Sequence, residues 1–193
     1  EDQIMTGKRE PTNEGYALAK IITARLCEYL TRQDEATDYK TLIPCNLYGR
    51  FDNFDPERSH LVPAVIQKLH QAKVRGETEV EIWGDGTARR EFMYAGDLAD
   101  AVCHVAEHYD EAPSVMNIGV GDDHSVDDYY RAVAEVAGYT GGFRYDASRP
   151  IGMTRKLIDI SRQRALGWAP STTLRQGIEG AYAFFLENEA RDS

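Results

Sequence analysis

Basic residues are in short supply. The 193-residue chain carries 22 Lys and Arg against 32 Asp and Glu, a formal net charge of −10, with no basic run. That balance argues against nucleic acid or an anionic membrane surface as the main partner, although a few local Arg and Lys can still hold a nucleotide. Cysteine is also scarce. Cys27, Cys45 and Cys103 show no C-x-x-C spacing, which points to neither a disulfide framework nor a zinc site, predicts no metal, and fits a reducing cytoplasm. No apolar run approaches the ~20 residues that a membrane span needs, and no signal peptide is visible. Repeats and low-complexity tracts are missing too. So is any G-x-G-x-x-G or G-x-x-G-x-x-G turn ahead of the first helical pattern, and the chain opens on Glu1-Asp2-Gln3-Ile4 without a Met. What remains is an ordinary globular composition, 42% hydrophobic and 28% charged. It is enough for one good core or parts of two domains.

The stretch Asn13-Glu14-Gly15-Tyr16-Ala17-Leu18-Ala19-Lys20 organises the reading. In a helix, Tyr16 and Lys20 leave the same face one turn apart. A phenol titrates near about pH 10 and is a poor acid at neutral pH, but a neighbouring ammonium favours its phenolate. Such a pair can give a proton to a sugar oxygen or take one from it. The plain alternative is an ordinary helix with a surface Tyr and Lys, which a bare Y-x-x-x-K match does not exclude.

Residues 1–12, with Gly7 and Pro11, read as a loop, and Asn13 is the expected cap of a helix over 13–31. Its apolar positions, from Ala17 and Leu18 through Ile21, Ile22 and Leu26 to Tyr29 and Leu30, make a stripe broader than one packing partner needs. Thr41 to Gly49 reads as a short buried strand running into a loop, with Pro44 marking its end. Ser59 is the expected cap of a helix over 60–72. Glu79 to Trp83 and Arg90 to Tyr94 flank Asp85-Gly86 and predict a hairpin. Helices are expected from Gly96-Asp97, from Ser125 to Ala137, and over 172–189. A short strand is expected over 115–119, and an extended segment over 156–159. Gly119-Val120-Gly121 does not open straight into a helix and reads as a turn.

These pieces resemble the extended short-chain dehydrogenases, the NAD-dependent epimerase family. Glu10-Pro11-Thr12-Asn13-Glu14-Gly15-Tyr16-Ala17-Leu18-Ala19-Lys20 is similar to that family's active-site helix. Asn46-Leu47-Tyr48-Gly49, Asp52-Asn53-Phe54-Asp55-Pro56, Ser59-His60-Leu61-Val62-Pro63 and Trp83-Gly84-Asp85-Gly86-Thr87-Ala88-Arg89-Arg90-Glu91-Phe92 sharpen the likeness toward its GDP-L-fucose synthase subgroup. The likeness runs from about Glu10 to Trp168. It implies an NADP(H)-dependent epimerase-reductase of a GDP-4-keto-6-deoxy sugar. Tyr16 would donate the proton to the sugar C4 oxygen. Lys20 would hold the nicotinamide ribose, and the turn of Pro44, Cys45, Asn46 and Leu47 would line the nicotinamide. His60, also on the cofactor side, matches the family's epimerisation histidine. Lys68, Trp83 and Arg90 match positions on the substrate side, where Arg suits a diphosphate and Trp a flat apolar face. Each has a plainer reading: Lys68 on a solvated helix face, Trp83 in the hairpin core, Arg90 in a surface pair.

The resemblance also implies an α/β fold. Residues 1–50 would be the C-terminal remnant of a Rossmann layer carrying the Tyr-Lys helix, and 51–95 the first part of a smaller α/β substrate-binding domain. Residues 96–118 would return to the Rossmann layer, and 119–193 would complete the substrate-binding domain. Helix 13–31 would pair with its mate in a homodimer. Two departures stand out. Ile151 replaces an acidic residue in Arg149-Pro150-Ile151-Gly152, which weakens GDP as the nucleotide, and the family's Gly-rich turn, catalytic Ser and epimerisation Cys all fall upstream of Tyr16. The expectation is therefore a C-terminal part of a longer enzyme, inactive alone. The alternatives are another sugar-nucleotide epimerase or dehydratase of the same family, and a non-catalytic sugar-nucleotide-binding module.

Overall fold

A computed structural model describes residues 1, 13–34, 36–55, 58–149 and 152–192. Residues 2–12 of the expected opening loop and Ile151 lie outside them. The chain runs α1 (Glu14–Gln33), β1 (Thr41–Pro44), β2 (Asn46–Tyr48), α2 (Leu61–Arg75), β3 (Glu79–Trp83), β4 (Arg89–Arg90), β5 (Phe92–Tyr94), α3 (Ala95–Glu107), β6 (Val115–Ile118), β7 (His124–Ser125), α4 (Val126–Ala137), β8 (Gly142–Asp146), β9 (Arg155–Lys156), α5 (Ser161–Ala165) and α6 (Leu174–Asp192). It is the expected α/β fold. Strand pairs β1–β6, β2–β5 and β3–β8 are each parallel. A small three-stranded mixed sheet runs β7-β4-β9, with β4 antiparallel to β7 and parallel to β9.

Two apolar cores form, and the β2–β5 ladder lies between them. Side chains alternate across a strand, and the sequence uses that here. Tyr48 and Phe92 enter one core, with Ile66 and Leu69 of α2, Val133 of α4 and Ile178 of α6. Their neighbours Leu47 and Met93 enter the other, with Ala101 and Val105 of α3, Met116 and Ile118 of β6, and Trp168. Asp97, buried at the start of α3, accepts hydrogen bonds from the hydroxyls and amides of Ser171 and Thr172, which ties the approach to α6 onto α3.

Local signals explain several element ends. Pro44 has no N–H for a ladder and is the last residue of β1. Ser125 caps α4 in a full capping box: its hydroxyl accepts from the Asp128 amide, and the Asp128 carboxylate accepts from the Ser125 amide. α4 stops at Gly138, whose φ of 69° is left-handed and favours glycine.

Three local expectations are corrected. Asn13 stands at the N-cap of α1, but its side chain makes no capping hydrogen bond. His60, not Ser59, occupies the N-cap of α2, and the buried Ser59 hydroxyl has no partner among the described residues. The segments around Asp85-Gly86 do not form a hairpin. The turn itself exists, with the Asp85 carboxylate accepting from the Thr87 amide and hydroxyl at 3.0 and 2.8 Å. However, β3 pairs with β8, β4 with β7 and β9, and β5 with β2. The alternation in 79–83 marks which face is buried, through Val80 and Ile82; it carries no information on which strand lies alongside.

Candidate active site

Tyr16 and Lys20 stand on the first turns of α1, with the Lys20 ammonium 5.4 Å from the centre of the Tyr16 ring. Tyr16 is 68% exposed, and α1 has no buried residue. Its half-buried positions, Ala17, Ile21, Ala24, Cys27, Glu28 and Thr31, mark the face turned inward. The groove between that face and the edge of β6 is lined by Ile21, Ala24, Pro113 and Val115 and holds a cavity of about 670 Å³.

The turn of Pro44, Cys45, Asn46 and Leu47 sits where β1 hands over to β2. Ligands in parallel α/β sheets bind beyond the carboxyl ends of strands, and this turn occupies that place on β1. The Cys45 amide donates to the Ile118 carbonyl at 2.9 Å, extending the β1–β6 ladder by one residue. The Asn46 side-chain amide donates to the Glu91 carbonyl at 2.9 Å, and its oxygen lies 3.4 Å from the Lys156 ammonium. Burial pushes the Cys45 thiol up to about 12, with the Glu91 charge adding to the effect.

Glu91 is 1% exposed. One carboxylate oxygen accepts from the Val120 and Gly121 amides at 2.7 and 2.8 Å, and the other from the Ile158 amide at 3.0 Å. A Cβ at Gly119 would stand 2.4 Å from that first oxygen, so glycine there is a condition of the carboxylate's approach. Gly119-Val120-Gly121 is thus a turn, as its sequence reads, and its amides hold a side chain of the protein.

On the β7-β4-β9 sheet, Arg89 is in register with Arg155, and Arg90 with Lys156 and with His124. Alternation splits them between two faces. Arg89 and Arg155 both clamp the buried Asp123, each Nε 2.5 Å from one carboxylate oxygen. Arg90, Lys156 and His124 make a basic row on the opposite face. Arg90 donates through Nη1 to the Arg89 carbonyl at 2.8 Å, and its own carbonyl accepts from the Tyr129 hydroxyl at 2.9 Å.

The remaining candidates fall elsewhere. Trp83 is 60% exposed, with the Arg149 guanidinium 5.0 Å from its ring centre; it lies outside both cores. The Lys68 ammonium donates to the Glu81 carbonyl at 2.5 Å and lies 5.8 Å from the Tyr130 ring centre. Burial lowers the Lys68 pKa. Its plainer reading, a solvated helix face, is set aside. His60 is exposed at the start of α2. Contacts among the described residues therefore join Asn46, Glu91 and Lys156 in one cluster, and Trp83 with Arg149 in another. They join neither cluster to the Tyr16–Lys20 pair or to His60. Sequence reading missed Glu91, Lys156, Asp123 and Arg149. The available signal was a carboxylate between Arg90 and the apolar Phe92-Met93, matched by a glycine pair downstream.

Residues 1–119 match the family model described as the NAD dependent epimerase/dehydratase family. The chain belongs to that family. Its relatives include the GDP-L-colitose synthase of Yersinia pseudotuberculosis, 50% identical over 192 residues, covering 100% of this chain and 62% of the relative. The GDP-L-fucose synthase of Azorhizobium caulinodans is 52% identical over 186 residues, covering 96% of this chain and 59% of the relative. The chain thus spans about three fifths of the length of these epimerase-family relatives. Among solved structures, MlghC, a GDP-mannoheptose C4 reductase from Campylobacter jejuni with NADP bound, superposes with a TM-score of 0.81 at 28% identity, covering 94% of this chain and 62% of that one.

Proposed function

We propose that this chain is the C-terminal part of an NADP-dependent epimerase-reductase of a GDP-4-keto-6-deoxy sugar, of the GDP-L-fucose synthase kind. The observation that carries this reading is identity of 50% and 52%, along nearly the whole chain, to two relatives named for making GDP-deoxysugars. The residues present fit the nicotinamide end of such a cofactor. Lys20 and Tyr16 stack on one exposed face, and Pro44 is exposed at the carboxyl end of a parallel strand. When bound, the cofactor supplies the hydride. Tyr16 gives the proton to the C4 oxygen, and Lys20 orients the ribose and keeps a positive charge beside the phenol. Pro44, Cys45, Asn46 and Leu47 wall the ring side and exclude water. His60, exposed at the head of α2, moves protons at the carbons next to the carbonyl, a role suited to an imidazole. Trp83 offers a flat face to the nucleotide, Arg90 supports the diphosphate, and Lys68, on α2 with its ammonium on the Glu81 carbonyl, serves the substrate side.

Residues 1–50 and 96–118 serve the cofactor layer in this reading, and 51–95 and 119–193 the substrate layer. The assembly is a homodimer through α1, whose Ile22, Leu26 and Tyr29 are 64%, 53% and 59% exposed, and the setting is a reducing cytoplasm.

The test is a full-length protein carrying these residues, assayed with the GDP-4-keto-6-deoxy sugar and NADPH. Tyr16→Phe removes one proton and little volume, so turnover should fall ~10²–10⁴-fold while GDP-sugar binding stays nearly intact. Near-normal turnover in that variant would move the chemistry elsewhere.

A further inference from the structure

The outer face of β3 carries Glu79, Glu81 and Trp83, since Val80 and Ile82 enter the core. Glu79 and Glu81 both pair with Arg144, at 3.3 and 2.6 Å. Trp83 follows them as an exposed indole on an otherwise ionic face. It is the last residue of β3 and is in register with Asp146, the last residue of the parallel β8. The indole therefore stands at the carboxyl ends of two parallel strands, the place where α/β sheets take ligands.

The turn after β8 delivers a cation to that ring. The Asp146 carboxylate accepts from the Ser148 amide and hydroxyl at 3.0 and 2.6 Å. The Asp146 carbonyl accepts from the Arg149 amide at 3.2 Å and from the Gly84 amide at 2.8 Å. Asp146 thus ties the residue after Trp83 to the residue that carries the guanidinium. Pro150 comes next in the chain, which restricts the Arg149 backbone further. The guanidinium lies 5.0 Å from the ring centre, with its Nε 3.6 Å from the second Asp146 carboxylate oxygen. Gly152, three residues on, returns to Arg90: a Cβ there would stand 3.6 Å from Arg90 Nη2. One short segment joins the ring-and-cation pair to the arginine assigned above to the diphosphate.

We propose that Arg149 is the residue that selects guanine as the base of the sugar nucleotide. The base lies against the Trp83 indole. The guanidinium moves from the ring centre to the edge of the base and donates two parallel hydrogen bonds to O6 and N7. Adenine carries an amino donor where guanine has O6, and a pyrimidine has no N7, so neither satisfies the fork. A cation over an exposed ring is weakly held, so the base displaces it easily. The inference rests on the function proposed above. In a sugar nucleotide the ribose and diphosphate separate the base from the reacting carbons, so this site needs no contact with Tyr16 or Lys20.

The experiment is calorimetry on the full-length protein with GDP, IDP, ADP and UDP. GDP and IDP, which share O6 and N7, should bind about tenfold or more tighter than ADP and UDP. Arg149→Ala should weaken GDP and IDP about tenfold and leave ADP and UDP within about threefold, so the base preference collapses. Arg149→Lys keeps the charge but not the fork and should restore little of that preference. Trp83→Ala should weaken all four nucleotides alike. An unmodified protein without preference for GDP over ADP would overturn the inference. So would an Arg149→Ala protein that loses affinity for all four equally, the result expected of a structural or diphosphate contact. A protein that selects GDP but does not turn over the 4-keto GDP-sugar with NADPH would instead overturn the proposed function.

Discussion

At the scale of single residues, hydroxyl and thiol groups divide by burial. Tyr48 and Tyr129 are buried, and burial pushes both phenols above their ordinary value. Both are committed as donors, Tyr48 to the Leu174 carbonyl at 3.4 Å and Tyr129 to that of Arg90 at 2.9 Å. Tyr16 alone of these three is exposed, which suits the proton donor proposed above. Cys45 behaves like the buried tyrosines. With its thiol pushed up to about 12, it stays protonated across the physiological range, so it lines its turn as an inert apolar wall. Cys103 is exposed. Iodoacetamide at about pH 8, near the ordinary thiol value, should label Cys103 well before Cys45, as read by mass spectrometry of timed digests. Equal rates would contradict the burial of Cys45.

Whole elements show which parts of the fold could be read from the sequence. The helix start at Ser125 and the Tyr16–Lys20 spacing are local, and both were legible. The partner of β3 was not, because pairing is settled by Phe143 and Tyr145, which stand opposite Val80 and Ile82 but lie far along the chain. Glu91 was hidden for the same reason, since its three amide donors all come from later turns. The β7-β4-β9 sheet is a similar long-range construction, and its stability should depend on pH. Hydrogen bonds from Arg155 and Arg89 hold the Asp123 carboxyl below the usual carboxylate range. A depressed acid contributes its full stability above the unfolded value of about 3.9, and loses it as pH falls through the lower folded value. Thermal scans should show Tm of the protein dropping across that acid window. Asp123→Asn should lower Tm by a few degrees near neutral pH and flatten the acid-side fall. An unchanged acid limb in Asp123→Asn would show that this clamp does not set it.

Among the described residues, one helix face of the molecule has no cover. Ile22, Leu26 and Tyr29 are exposed along α1, and contiguous apolar patches of a few hundred Å² or more usually find a partner. A two-fold contact would set the same patch of both copies together. Light scattering should therefore give twice the mass of one chain, and Leu26→Glu should halve it or make the protein insoluble. A wild-type chain that stays monomeric at high concentration would refute the dimer. The parallel pairings have a different consequence, one of timing. β1 leaves the ribosome long before β6, and β3 long before β8. At roughly 5–20 residues per second of synthesis, each early strand waits for several seconds with an open edge, and neither core can close until α4, α6 and the approach to α6 have emerged. Exposed edges of this kind are prone to aggregate before the fold closes. Slowing translation before residue 115 should lower soluble yield, and raising chaperone supply should restore it.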